Sequence, residues 1–198
     1  MKRPAKSKYK TDTRIKKRKL AFYDLEFSGL DLNQEIIEIG CLLVSQPDLK
    51  IVKEWKVMVK PKHLESADMN SLRIVGYSDR KWHNAVPLKE ALVKFNKIAR
   101  NTVLVGYNSV WDFMFLKKAY YDCGLETTFH WQCLDVLSMA YALLGKENLK
   151  GYRMTEVAKF LGLEMKRWHD PLEDSRLTYK MYKKLLEYKN QKLKDGEN

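Results

Sequence analysis

Two carboxylates separated by a single leucine, Asp24 and Glu26, close the apolar run of LAFYDLEFSGL (residues 20–30). In an extended chain residues i and i+2 face the same way, so these acids would stand side by side. Like charges that close repel, and one takes up a proton unless a cation is shared. A strand end reaching water is the plain alternative for this stretch alone. A second constellation is GYNSVWDFMFL, where Asn108 ends an apolar run and Asp112 sits four residues on, between Trp111 and Phe113. An acid in a first helical turn is favoured by the helix dipole, but a carboxylate among apolar neighbours is costly unless paired or coordinated. The third is RWHDPLEDSRL: His169 and Asp170 precede Pro171, and Glu173 and Asp174 fall in a first helical turn. Acid-rich first turns are ordinary, so this segment means little by itself. Four acids gathered in one place would be another matter. They would repel without divalent cations, and that many hard oxygen ligands suits Mg²⁺ or Mn²⁺. Two such ions ~3.5–4 Å apart clamp the attacking and leaving oxygens of phosphodiester cleavage. His169 would then serve as general base, histidine being the side chain that titrates nearest neutrality.

The elements that must bring these residues together follow from the pattern. LAFYDLE reads as a first strand, and EIIEIGCLLVS (35–45) and IVKEWKVMV (51–59) as strands joined by a turn at Pro47-Asp48. Alternation in the third gives it one wet face, as toward a sheet edge. PLKEALVKFNKIA (87–99) places Leu88, Leu92, Phe95 and Ala99 on one helical face. TVLVGYN (102–108) suits a central buried strand, and VWDFMFLKKAYYDCG (110–124) a buried helix closed by Gly124. Further helices are expected at 134–144, 153–161 and 172–188. Strands first, then helices alternating with one or two more strands, predict an α/β domain with a mixed sheet flanked by helices. If the first and fourth strands are neighbours, the four carboxylates converge at one sheet end.

The chain has 198 residues, 45% hydrophobic and 12% aromatic, enough for one core. Its net charge of +12 is unevenly spread. Residues 1–19 hold ten Lys or Arg against Asp12, leaving 27 basic and 24 acidic residues elsewhere. A second basic stretch, Arg176 to Lys194, has seven Lys or Arg against Glu187. The reading is a basic N-terminal arm (1–19), disordered when free, a body (20–188), and a polar C-terminal tail (189–198). The arms would meet a polyanion first, or would only solvate the chain. No apolar run approaches the ~18 residues of a membrane span, and no apolar signal core opens the chain. Cys41, Cys123 and Cys133 lack metal-ligand spacing and read as reduced thiols, which places the protein in the cytoplasm.

The ordered set Asp24-x-Glu26, Asn108-x3-Asp112 and His169-x4-Asp174 resembles the DEDDh (DnaQ-like) 3′–5′ exonucleases, the group of polymerase III epsilon subunits, ribonuclease T and oligoribonuclease. The likeness covers roughly 20–188 and includes CLDVLSMAYALL and EVAKFLGLEMKRWHDPLEDS. Departures are Phe27-Ser28, Trp111 and Pro171, none of which removes an acid or the histidine. The resemblance implies a ribonuclease-H-like fold with a central five-stranded mixed sheet. It implies that Asp24, Glu26, Asp112 and Asp174 hold two ions, with Asp24 the bridge, and that His169 deprotonates the attacking water. Phe27, Ser28, Gly29 and Leu30 would hold the terminal nucleotide, with Leu30 or Phe27 against its base. Asn108 would position the strand or support Asp112, and Asp135 would be a structural acid. The expected substrate is a single-stranded 3′ end, DNA ahead of RNA, cut to nucleoside 5′-monophosphates. An exoribonuclease, or a non-catalytic nucleic-acid-binding or polymerase-associated module, is the alternative; a polymerase or other nucleic-acid enzyme would be held through the basic arm, and monomer and homodimer stay open.

Overall fold

The computed structural model describes residues 15–31, 33–147, 149–164 and 169–194. Five strands form one mixed sheet: β1 (Leu20–Phe27), β2 (Ile36–Val44), β3 (Ile51–Met58), β4 (Val103–Gly106) and β5 (Cys133–Asp135), in the order β3-β2-β1-β4-β5. β1 pairs antiparallel with β2 and parallel with β4, so the expected neighbouring of first and fourth strands holds. β3 lies at an edge, as expected, but in place of one wet face it is exposed over its first four residues and half-exposed over the last four. Six α-helices accompany the sheet among the described residues: α1 (Met69–Val75), α2 (Leu88–Ile98), α3 (Val110–Asp122), α4 (Val136–Leu144), α5 (Met154–Phe160) and α6 (Pro171–Lys194).

The pleat sorts the strands into two cores. Ala21, Tyr23, Leu25, Ile39 and Cys41 pack with Leu92, Phe95, Leu116 and Tyr120 on the side of α2 and α3. Leu20, Phe22, Leu42 and Val44 pack with Val136, Val157, Leu177 and Met181 on the side of α4, α5 and α6. By the same alternation Asp24 and Glu26 fall on the α6 face of β1. On β2 the directly opposite residues are Gly40 for Asp24 and Glu38 for Glu26.

Four elements differ from the sequence reading. α1 was not expected; Asp68 caps it, its carboxylate accepting from the backbone N–H of Asn70 and Ser71. The expected buried helix over 110–124 is only half buried, since Val110, Trp111, Met114 and Tyr121 stand exposed. The helix expected from 134 starts at Val136, because Cys133–Asp135 are taken up as the fifth strand. α6 continues to Lys194, six residues into the segment read as tail. There the Tyr188 hydroxyl donates to Glu147 and Lys192 sits 3.8 Å from the same carboxylate, while lysines in the last turn suit the helix dipole. At the other end, residues 1–14 of the basic arm lie outside the described residues. Ile15–Lys17 form a 3₁₀ turn, and Ile15 packs on the α6-side core while the Gln46 amide donates to the carbonyls of Ile15 and Arg18.

Candidate active site

The parallel pairing of β1 with β4 puts their carboxyl ends at the same edge of the sheet, where open α/β sheets place their sites. Asp24 and Glu26 stand near the end of β1. Asn108 follows β4, exposed, with its backbone in the left-handed region (φ 53°), and the chain turns there into α3. Asp112, in the first turn of α3, reaches back so that its Oδ1 accepts from the backbone N–H of Leu25 at 3.0 Å. This bond ties the second acidic segment to the backbone between Asp24 and Glu26.

The third segment is brought in by α6, and Gly40 is what lets it approach. A β-carbon at Gly40 would lie 2.2 Å from the Pro171 carbonyl carbon and oxygen and 2.5 Å from the Leu172 nitrogen. The helix start therefore rests directly on bare backbone of β2. Asp174, one turn in and 8% exposed, comes down onto β1. Carboxylate oxygens of Asp24, Glu26 and Asp174 all lie within 4.8 Å of one another. Asp112 stands outside that trio but presses its field on Asp24 and Glu26.

Burial drives every one of these acids toward its protonated form, and neighbouring negative charge adds to it at Asp24, Glu26 and Asp174. Asp24 is raised well above the ordinary carboxylate range, first by burial and then by Asp112, Glu26 and Asp174. Glu26 is pushed up to about 8 by burial and the charges of Asp174 and Glu38. Burial pushes Asp112 up to about 7, the Leu25 N–H pulling the other way. Asp174 is also pushed up to about 7, by burial and Asp170, against a hydrogen bond from the His169 backbone. Such a set resists full ionisation unless positive charge is shared among its members, and all of its donor atoms are hard oxygens. The residues present therefore fit a divalent cation.

His169 is exposed, adjacent to this cluster through its backbone, and held at φ 55°. The segment expected to hold the terminal nucleotide, residues 27–30, is divided in its surroundings. Leu30 is 72% exposed. Phe27 instead packs on Phe115, ring centroids 4.4 Å apart, as part of the α3-side core. Ser28 is buried, its hydroxyl donating to Gln34 Oε1 at 2.8 Å and accepting from the Glu35 N–H at 2.9 Å, so it braces the loop. Gly29 lies against the Gln34 side chain, where a β-carbon would come within 2.8 Å. Asp135 caps α4, accepting from the Ser138 N–H at 2.9 Å and, through its other oxygen, from the Ser109 N–H at 3.1 Å, in keeping with a structural acid. Sequence reasoning passed over Gly40, Glu38 and Lys56. Glu38 carries the signal that marked Asp112, a carboxylate among apolar neighbours, in a strand buried along its whole length.

A model of the exonuclease family (RNase_T) matches residues 21–182. A DNA polymerase III PolC-type of Caldanaerobacter subterraneus is 31% identical over 166 residues, covering 83% of this chain and 11% of that protein. One from Thermotoga petrophila is 29% identical over 168 residues, 83% of this chain and 12% of its own length. The chain thus spans about a ninth of these curated relatives. Among solved structures, Exonuclease I of E. coli in complex with a dT13 oligonucleotide superposes with a TM-score of 0.75 at 17% identity, over 90% of this chain and 43% of that one. Sheet order, the meeting of three acidic segments and the family match agree, and the chain belongs to the exonuclease family, in its DnaQ-like group.

Proposed function

We propose that the protein is a divalent-metal-dependent 3′–5′ exonuclease that removes nucleoside 5′-monophosphates from single-stranded 3′ ends, with DNA preferred over RNA. The observation that carries the reading is the meeting of the Asp24, Glu26 and Asp174 carboxylates within 4.8 Å, beside Asp112. These four acids would hold two cations, Mg²⁺ or Mn²⁺. When bound, such ions supply positive charge to the attacking and leaving oxygens of the phosphodiester. His169 would accept the proton of the attacking water at an imidazole nitrogen, and its exposed position lets solvent carry that proton away. Leu30, with the backbone of Phe27, Ser28 and Gly29, would hold the terminal nucleotide; Asn108 would position the strand beside Asp112. The arm over 1–19 would grip the phosphates of longer strands and the body over 20–188 would cut.

The DNA preference is supported by the polymerase III relatives and by the oligonucleotide held in the Exonuclease I complex. The polymerase likeness also supports a polymerase as protein partner. The test is a 5′-labelled single strand, DNA and RNA in parallel, incubated with Mg²⁺, Mn²⁺ or EDTA and resolved by length. A one-nucleotide ladder growing from the 3′ end, absent in EDTA and faster on DNA, is expected. Faster loss of RNA would move the reading to an exoribonuclease. Intact strands that still bind the protein would leave only a binding module.

A further inference from the structure

We propose that Lys56 is a positioning residue for this reaction: from β3 it clamps Asp170 and so fixes where His169 stands over the acidic cluster. The inference rests on the exonuclease reading above and concerns a part of the site that the three motifs do not include. Lys56 pairs opposite Gly40, which pairs opposite Asp24, so the three lie in one row across the α6 face of the sheet. With strands ~4.8 Å apart, the Lys56 backbone is roughly 10 Å from that of Asp24, and the side chain between them is missing. The backbone of Pro171 and Leu172 fills the space over Gly40, which brings the helix start within reach of Lys56. Its Nζ donates to Asp170 Oδ2 at 2.9 Å and lies 3.4 Å from Glu38 Oε1.

Lysines on an edge strand ordinarily point their ammonium to water. This one is 26% exposed, between an aspartate at 12% and a glutamate at 1%. Among the described residues Glu38 Oε1 has no hydrogen-bond partner, so its compensation in the core is the charge of Lys56, 3.4 Å away, with Lys81 adding to it. Replacing a buried ion pair with apolar side chains is often neutral or stabilising, so stability alone is a weak reason for this one. What the pair does hold is a corner. Asp170 Oδ1 accepts from the N–H of Leu172 at 3.2 Å and of Glu173 at 3.5 Å, and its carbonyl accepts from the Asp174 N–H at 2.9 Å. The next residue back is His169, in the left-handed backbone region, its N–H turned to the Asp174 carboxylate. Glu38 thus anchors Lys56, Lys56 anchors Asp170, and Asp170 fixes the backbone from which the histidine projects. A shift of one ångström in such a group costs about 10²-fold in rate.

The test compares Lys56→Met, Lys56→Arg, Asp170→Asn and the Lys56→Met/Asp170→Asn double variant with the natural chain on a labelled oligonucleotide. Lys56→Met should lower kcat by about tenfold or more while KM stays within about twofold, and it should also lower the melting temperature, because Glu38 and Asp170 lose their cation. Lys56→Arg should recover most of kcat, and the double variant should be no slower than the slower single. A readout independent of turnover is the imidazole NMR signal of His169 in metal-free protein, assigned with His169→Gln. It should move or broaden in Lys56→Met and return in Lys56→Arg. An unchanged signal with unchanged kcat in Lys56→Met would overturn the proposal, as would losses in the two singles that multiply in the double. If the natural chain itself leaves the strand intact, the exonuclease reading is what fails, and the His169 signal alone decides the clamp.

Discussion

Substituting alanine for Gly40 tests whether the height of α6 above the sheet sets the site. The added methyl would meet the Pro171 carbonyl at 2.2 Å. Favourable carbon–carbon contacts begin near 3.5 Å, so the helix start must back away by roughly 1.3 Å. Pro171 cannot yield as a flexible side chain can, because the atoms in the way are backbone. Overpacking of this kind costs about 1–3 kcal/mol, a fall of several degrees in melting temperature for a chain of this size. By local preference alone the change would go the other way, since Gly→Ala at an unstrained position stabilises by about 0.4–1 kcal/mol. The sign of the stability change therefore separates the two accounts. The rate should fall further than stability does, by about 10²-fold, because Asp174 and His169 ride on the displaced helix start. The assay is kcat on a labelled single strand, with thermal unfolding and circular dichroism on the same preparations. A variant as stable as the natural protein, with kcat within twofold, would refute the close seating of α6 as the device that assembles the cluster.

Asp24→Ala and Asp174→Ala should each abolish cleavage while leaving a folded protein by circular dichroism; full activity in either would refute their part in holding the cations. The raised carboxyls make a linkage prediction for metal-free protein: native Glu26, Asp112 and Asp174 bind protons up to about 8, 7 and 7, whereas the unfolded acids release them near 4. The native state then holds more protons than the unfolded one, so stability falls as pH rises from about 4 to 8 and levels off above. Melting curves in EDTA across that range check the sign, and Mg²⁺ or Mn²⁺ should raise the melting temperature more at pH 8.5 than at pH 6, since the ions bind the ionised cluster. Deleting residues 2–19 should weaken binding of long single strands and flatten its salt dependence; an unchanged slope of log K against log salt would show that the arm contacts no phosphate.

How much of this was legible in the sequence depended on whether the deciding contact was local. Asp24 and Glu26 could be read as a pair because strand alternation fixes their common face within three residues. The helix start at Pro171 was likewise local, and it places Asp174 one turn in. Their meeting was conditional on β1 lying beside β4, a pairing that no short stretch encodes. Ser28 shows the limit from the other side: a hydroxyl after Glu26 suggests a ligand contact, yet Gln34 and Glu35 turn it inward. Phe27 was claimed by Phe115, far along the chain, and Lys56 meets Asp170 across 114 residues. Apolar periodicity says which face is buried and cannot say which distant side chain will fill it.

The order in which the segments are made has its own consequence. β1, with two of the acids, is the central strand, but Asp174 follows about 150 residues later on the helix that covers it. Until α6 docks on Gly40, the nascent chain can hold Asp24, Glu26 and Asp112 without the carboxylate that completes the trio. Contacts so distant in sequence form late in folding. Assembly of the carboxylate trio therefore waits until the whole span from β1 to the start of α6 has been made.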